Sequence, residues 1–392
     1  MSIYKGDTQI TGVCKGDTEI IKAYRGTRVV YQKASGEEKA VEFTSLEPFT
    51  IGVASGKTWD GKIEYKSGSD KWAVWNGESS LNAVQEDGNY TLSFRGSNNT
   101  KITGSYSNYW TLSATSAVYS SGEIWWLLDY RSPENTIMSP NCFSYMFQNW
   151  NKLATVPSLP STNISVSCYS YMFVGCSSLT SAPELPATTL ADYCYRGMFS
   201  NCTSLTSAPA LPADTLTSNC YNGMFYKCTS LTSAPALPAN TLASNCYNQM
   251  FGECSSLISA PVLPADILAN NCYSKMFYKC TSLTSAPALP ATTLADYCYN
   301  EMFSSCSSLA TLPTLQALTL PSYCYYQMFL GCKTKLSYVQ DETYKYEFRI
   351  PSSGTGTSKS TSLTQMFANT GSTIMTPYLN TTYYVANQPV SA

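Results

Sequence analysis

Fifteen of the sixteen cysteines recur on a fixed pattern, and thiols so placed could cross-link the chain or bind metal. A Cys followed by Tyr or Phe stands at Cys142, Cys168, Cys194, Cys220, Cys246, Cys272, Cys298 and Cys324, always 26 residues apart. A second Cys follows eight residues later, from Cys176 to Cys332, and Trp150 takes that place in the first copy. On a helix, two such positions are about 12 Å apart, too far for a disulfide. Helices in neighbouring copies are expected to lie beyond the bridging limit of about 7 Å between Cα atoms. Zinc ligands usually come as close Cys pairs, and none occurs here. The thiols therefore read as small buried hydrophobes, kept reduced in a protein that folds in a reducing cytoplasm.

Other chemistry has little to work with. The chain contains no histidine, which removes the commonest general base, the Ser-His and Cys-His pairs and most catalytic zinc sites. A glycan-cleaving enzyme would need paired carboxylates. The repeats hold Glu184, Asp192, Asp214, Glu253, Asp266, Asp296 and Glu301, which read as scattered surface residues. The sequence points to no catalytic, metal or cofactor residue. Only 13% of residues are charged and the formal net charge is −2, so nothing electrostatic attracts nucleic acid or an anionic membrane. No apolar run is long enough to span a bilayer. Residues 1–10 lack the apolar core of a secretory signal, so none is expected.

The element that positions the thiols is the repeat itself. Each copy carries Met-Phe four residues after its first Cys, from Met146-Phe147 to Met328-Phe329. A Leu (Leu205), a Pro (Pro209), Leu-Pro (Leu211-Pro212) and a last Leu (Leu216) follow. Cys194, Met198 and Cys202 at i, i+4 and i+8 predict one face of a short amphipathic helix. Its other face carries variable residues, among them Arg196, Asn222, Asn248, Lys275, Asn300 and Glu301. Leu205 to Leu211 should be extended, since each Pro pushes its predecessor out of the α region. The same Pro column removes one N–H per copy, so a parallel sheet of only two to four residues is expected. Its inward phase is open between Ala208 with Ala210 and Pro209 with Leu211. One copy cannot bury its apolar face alone, but a stack of them can.

The run Cys202-Thr-Ser-Leu-Thr-Ser-Ala-Pro-Ala-Leu-Pro, leading into Cys220-Tyr-x-x-Met-Phe-x-x-Cys228, resembles the BspA-type leucine-rich repeat. The repeat is longer and richer in Pro than that family's usual form. The resemblance implies a right-handed solenoid and surface binding, commonly adhesion, and it carries over no catalytic residue. The fold class expected is an α+β repeat: a leucine-rich-repeat solenoid of 26-residue coils over 142–336, preceded by an all-β sandwich domain over 36–141. Alternating runs such as Phe49, Ile51, Val53 and Tyr90, Leu92, Phe94 carry the sandwich reading, and six of the seven Trp fall there, more suited to its core than to stacking sugars. Trp125-Trp126-Leu127-Leu128 is expected to cap the solenoid's N-terminal end, and 337–392, with its echo Met366-Phe367, its C-terminal end.

Residues 1–35 repeat with period ten: Tyr4-Lys5-Gly6-Asp7-Thr8, Cys14-Lys15-Gly16-Asp17-Thr18, Tyr24-Arg25-Gly26-Thr27. The Gly triplets read as turns, and Gln9-Ile10, Glu19-Ile20-Ile21 and Val29-Val30-Tyr31 as short strands. The segment is too small to bury a core alone. It either begins the next domain or docks, completing its core on a partner or in a homo-oligomer. It resembles the start of fibre and tail proteins in phages of gut anaerobes. That resemblance implies a virion protein, made in the host cytoplasm, which contacts other virion proteins through Tyr4, Lys5, Asp7, Lys15, Asp17, Tyr24 and Arg25. The partner at the other end would be a host-surface protein or glycan. It would be met by Arg196, Asn222, Tyr226, Lys227, Asn248, Lys275, Tyr278, Lys279, Asn300 and Glu301. The alternative is a bacterial cell-surface adhesin. Neither reading involves nucleic acid or membrane insertion.

Overall fold

The computed structural model describes residues 39–104, 106–132, 138–350 and 361–391 in full, together with the backbone of four strands in 1–32. Those four, β1 (Ile3–Lys5), β2 (Thr8–Thr11), β3 (Lys22–Arg25) and β4 (Arg28–Gln32), form an antiparallel meander that is a sheet of its own. Gln9-Ile10 and Val29-Val30-Tyr31 lie on strands as expected. Glu19-Ile20-Ile21 lies outside the described residues, and the third strand begins just after it.

Between residues 41 and 121 the alternating runs become two antiparallel sheets. One is ordered β13 (Tyr119–Ser121), β5 (Val41–Ser45), β11 (Asn89–Ser97), β7 (Lys62–Ser67), β8 (Ala73–Trp75), with β10 (Val84–Glu86) also on β11. The other is β12 (Trp110–Ala114), β6 (Phe49–Val53) and β9 (Leu81–Asn82). The hairpin β10–β11 turns through Asp87 and Gly88, both at positive φ (46° and 85°), as a tight hairpin turn requires. The sheets meet through aromatic rings: Trp110 of one lies 5.0 Å from Phe94 and 5.2 Å from Trp75 of the other. Trp59, Trp75 and Trp110 are buried, so half of this region's tryptophans are core.

The repeats depart from the sequence reading at one point: Cys194 to Cys202 is not a helix. Among the described residues the one α-helix is α1 (Trp126–Asp129). The repeat segment is a ribbon of turns in which every fourth residue is left-handed, Tyr193 (61°), Gly197 (59°) and Asn201 (61°) in one copy. Its amides alternate. Those of Cys194, Arg196, Met198, Ser200 and Cys202 bond three residues back within the ribbon. Those of Tyr193, Tyr195, Gly197, Phe199 and Asn201 donate to the next copy, at the carbonyls of Ser218, Cys220, Asn222, Met224 and Tyr226. An α-helix would spend these donors internally; the ribbon spends half of them on its neighbour and so stacks the copies directly. The same five inter-copy bonds recur in every copy from Asn141 to Ser305.

Stacking in register brings identical side chains into columns. The Phe rings of Phe173, Phe199, Phe225, Phe251, Phe277 and Phe303 follow one another at 5.7–5.9 Å, nearly parallel. The core tyrosines, Tyr169 to Tyr325, do the same at 5.8–5.9 Å. Fifteen cysteines are buried free thiols, and those of the second column, such as Cys202, donate S–H to the Phe carbonyl of the preceding ribbon (Phe173 O, 3.2 Å). The separation expected between neighbouring copies is thus wrong, because a backbone-bonded ladder brings the cysteines of one column close together.

Leu205, Leu211, Ala213 and Leu216 point into the core and Ala210 outward, which settles the phase in favour of Leu211. The parallel sheet is thinner than expected. It is reduced to single bridges 26 residues apart, for example Ser259 with Ser285 and Thr215 with Thr241, because the prolines leave too few donors for a longer ladder.

Both ends of the stack are covered. At the N-terminal end the amides of Ile102, Trp110, Val118 and Ile124 reach carbonyls of Cys142, Met146, Lys152 and Ser158 in the first copy. This explains Trp150 in place of a cysteine: its Nε1 donates to Trp110 O (2.7 Å) and its ring packs on Phe43 (5.4 Å). The Trp125–Leu128 run packs against β11, whose Gly96 carbonyl accepts Tyr130 N, and Asn99 just beyond that strand bonds the carbonyls of Leu127 and Leu128. At the C-terminal end Tyr325, Gln327, Phe329 and Gly331 bond to Ser362, Thr364, Met366 and Ala368, so 361–369 continues the stack. Phe348 of β14 (Tyr346–Arg349), paired with β15 (Thr382–Val385), then closes over Phe367 at 5.9 Å.

Candidate functional site

The ribbon's outer edge carries the residues that differ from copy to copy, and the stack aligns them in columns. Lys227, Glu253 and Lys279 share one column, each left-handed and 26 residues from the next. Glu253 lies between two cations, Lys227 Nζ at 3.8 Å and Lys279 Nζ at 3.6 Å, and accepts the Tyr226 hydroxyl at 2.9 Å. Burial, and then the Glu253 carboxylate, push the Tyr226 phenol up to about 12. Lys279 lies over the Tyr278 ring at 4.9 Å and Lys227 over the Tyr226 ring at 5.2 Å. Lys275 and Glu301, also in one column, pair at 3.2 Å. The copy between Tyr226 and Tyr278 has Gly252 in their column, and the Tyr226 ring lies over it, within 3.1 Å of where a Cβ would stand. These half-exposed ion pairs add little stability, but they hold an array of phenols, ammonium groups and carboxylates at a fixed spacing.

Two parts of this face escaped the sequence reading. Glu253 looked scattered, although its place 26 residues from both Lys227 and Lys279 was readable from the period. Near the N-terminal end Tyr145 and Tyr171 stack at 5.0 Å, exposed Tyr106 meets Tyr145 edge-on at 5.7 Å, and Arg196 lies 5.6 Å from the rings of Tyr171 and Tyr193. Gly197 follows Tyr171 in that column, and a Cβ there would collide with the Tyr171 ring. Asn222 and Asn248 are half-exposed like Tyr226 and Lys275, Asn222 donating to Asn219 Oδ1 (3.0 Å), whereas Asn300 is buried with its amide on Ser274 Oγ (3.1 Å) and leaves the surface set. Of the docking residues, Tyr4 and Lys5 lie on β1 and Tyr24 and Arg25 on β3; Asp7, Lys15 and Asp17 lie outside the described residues.

The acids are less scattered than they looked. Asp192 and Asp296 share a column and each accepts an amide of the following copy, Ser218 N at 3.0 Å and Ser322 N at 2.8 Å. Among the described residues no three His, Cys, Asp or Glu gather as a metal site, and no helix is long and apolar enough to cross a membrane.

The family model for the BspA type leucine-rich repeat region matches residues 141–258 and 221–346, in six copies, and so covers more than half of the chain. The chain belongs to the BspA-type leucine-rich repeat family. That family is a non-catalytic repeat family, and membership points to a binding protein, of the surface adhesin kind or another. No curated protein and no solved structure matches the chain.

Proposed function

We propose that this BspA-type protein binds a surface partner, a host protein or glycan, through the outer edge of its ribbon. The family match over 141–346 carries this reading. The face itself supports it: half-exposed Tyr226, Lys227, Tyr278 and Lys279, with Glu253 and the Tyr145–Tyr171 stack, supply rigid aromatic area and hydrogen-bonding groups, which favour recognition at low entropic cost. The repeats are read as one leucine-rich-repeat solenoid, 142–336, between the sandwich domain, 36–141, and a cap, 337–392.

The chain's place is read as the virion, as a fibre, tail or capsid decoration attached through residues 1–35. Support comes from the ten-residue period and its likeness to phage fibre and tail proteins, and from the small separate meander β1–β4, which gains ordering energy on a partner. A second reading, a bacterial cell-surface adhesin, is favoured by the repeat family. Deleting residues 1–35 separates them. The virion reading expects 36–392 to stay folded and melt cooperatively but to be missing from purified particles. Assembly of the deletion variant onto particles would overturn residues 1–35 as the attachment, and full-length protein found only on bacterial cells would decide for the adhesin.

A further inference from the structure

We propose that the hollow between the last repeats and the C-terminal segment binds an acidic sugar, a saccharide carrying a carboxylate. The site lies apart from the variable ribbon residues described above, so its test does not depend on that face. Its volume is about 440 Å³, in the range that admits a small ligand.

Lys333 and Lys335 are among its lining residues, the Lys335 side chain ending beside Gly371 at its margin, and among the described residues neither has a carboxylate at ion-pair distance. The nearby acids are engaged elsewhere. Glu342 pairs with Lys345 at 3.5 Å, and Asp341 accepts the amides of Thr343 and Tyr344, both at 2.7 Å. An anion entering the hollow therefore meets two lysines against the one carboxylate of Asp341, a net positive charge.

The rest of the lining separates a sugar from a bare ion. Leu309, Ala310 and Ala386 offer an apolar floor and Tyr344 a ring, which suit the C–H faces of a pyranose. Ser307, Ser308 and Thr343 offer hydroxyls to match its own. Inorganic anions would leave floor and ring unused, and a neutral sugar would leave the cations unmatched. The walls are fixed before binding: Thr334 Oγ1 donates to Leu309 O (3.0 Å), and Asn387 Nδ2 donates to Ala310 O (2.7 Å), leaving its side-chain carbonyl for a ligand. A pre-formed site avoids part of the ordering cost of binding.

The test uses the full chain, titrated by calorimetry with glucuronic acid, methyl glucoside and sodium sulfate. Glucuronic acid should bind at least about tenfold more tightly than either other probe. The double substitution Lys333→Gln/Lys335→Gln, at exposed positions, should reduce it to the level of the glucoside without moving the melting temperature. Equal affinity for glucuronic acid and glucoside, sulfate binding as tightly as the sugar acid, or undiminished binding by the double variant would each overturn the proposal.

Discussion

Raising the pH from 8 to about 10 should unfold this protein abruptly, within roughly one pH unit above the ordinary thiol value of 9.0. Burial holds all fifteen repeat thiols above that value in the folded chain, Cys202 and Cys254 at about 12. Below about pH 8 a thiol is protonated in both states and the shift costs nothing. Above 9 the unfolded chain releases protons that the folded chain keeps, so stability is lost as pH rises. At pH 9.5 each thiol costs about 0.8 kcal/mol and fifteen cost on the order of 13 kcal/mol, comparable with the whole stability of a typical domain. The core tyrosines, also pushed up by burial, steepen the loss further on. Circular dichroism against pH, with reductant present, should show the transition and its reversal at pH 7. Unchanged spectra through pH 11 would mean that the thiols are not buried and protonated as described.

Phe225→Ala should cost about 3–5 kcal/mol, the usual range for a fully buried Phe. The ring is completely buried between Phe199 and Phe251, 5.7 Å from each, so its loss opens a void with a stacked ring on either side. The backbone amide of Phe225 still donates to Met250 O, so the ribbon should persist and the damage should stay near one copy before it spreads. Asn222→Ala, by contrast, removes one half-exposed hydrogen bond and should lie within about 0.5 kcal/mol of neutral. Denaturant melts of the two variants compare them directly, and equal destabilisation would mean that the inward and outward columns are assigned wrongly.

The columns were legible because a 26-residue period needs no knowledge of local conformation: Cys and Met-Phe fall in the core, and the Leu columns fall in it or pack against it. The ribbon was not, because Cys194, Met198 and Cys202 imitate a helical face. A strict four-residue step drifts about 40° per step on an α-helix, and this was one warning. The other was Asn or Gly at some of the four-spaced places, as in Asn219 with Gly223, residues that tolerate φ near +60°, although Lys227, Glu253 and others fill the rest. The ends were harder to read. Nothing local in Ile102 or Val118 says that it bonds the first copy, and the return of the stack at 361–369 follows an insertion that breaks the period. Within the candidate site, Lys275 with Glu301 was readable as a pair one period apart, whereas Tyr145 on Tyr171 was hidden because later copies place Gly197 and Gly223 in that column.

Binding of labelled full-length protein to a panel of gut anaerobic bacteria, compared with two variants, tests the ribbon face most directly. Tyr226→Ala/Tyr278→Ala strips the aromatic pair flanking Gly252, and Val262→Ser changes an exposed apolar residue on the Pro-containing segment, away from the ribbon. The tyrosine variant should lose at least about tenfold in affinity, little altered by salt because the face is nearly neutral, while the valine variant binds as the parent does. Parental binding by the tyrosine variant, with loss in the valine variant, would contradict the ribbon face as the site of recognition.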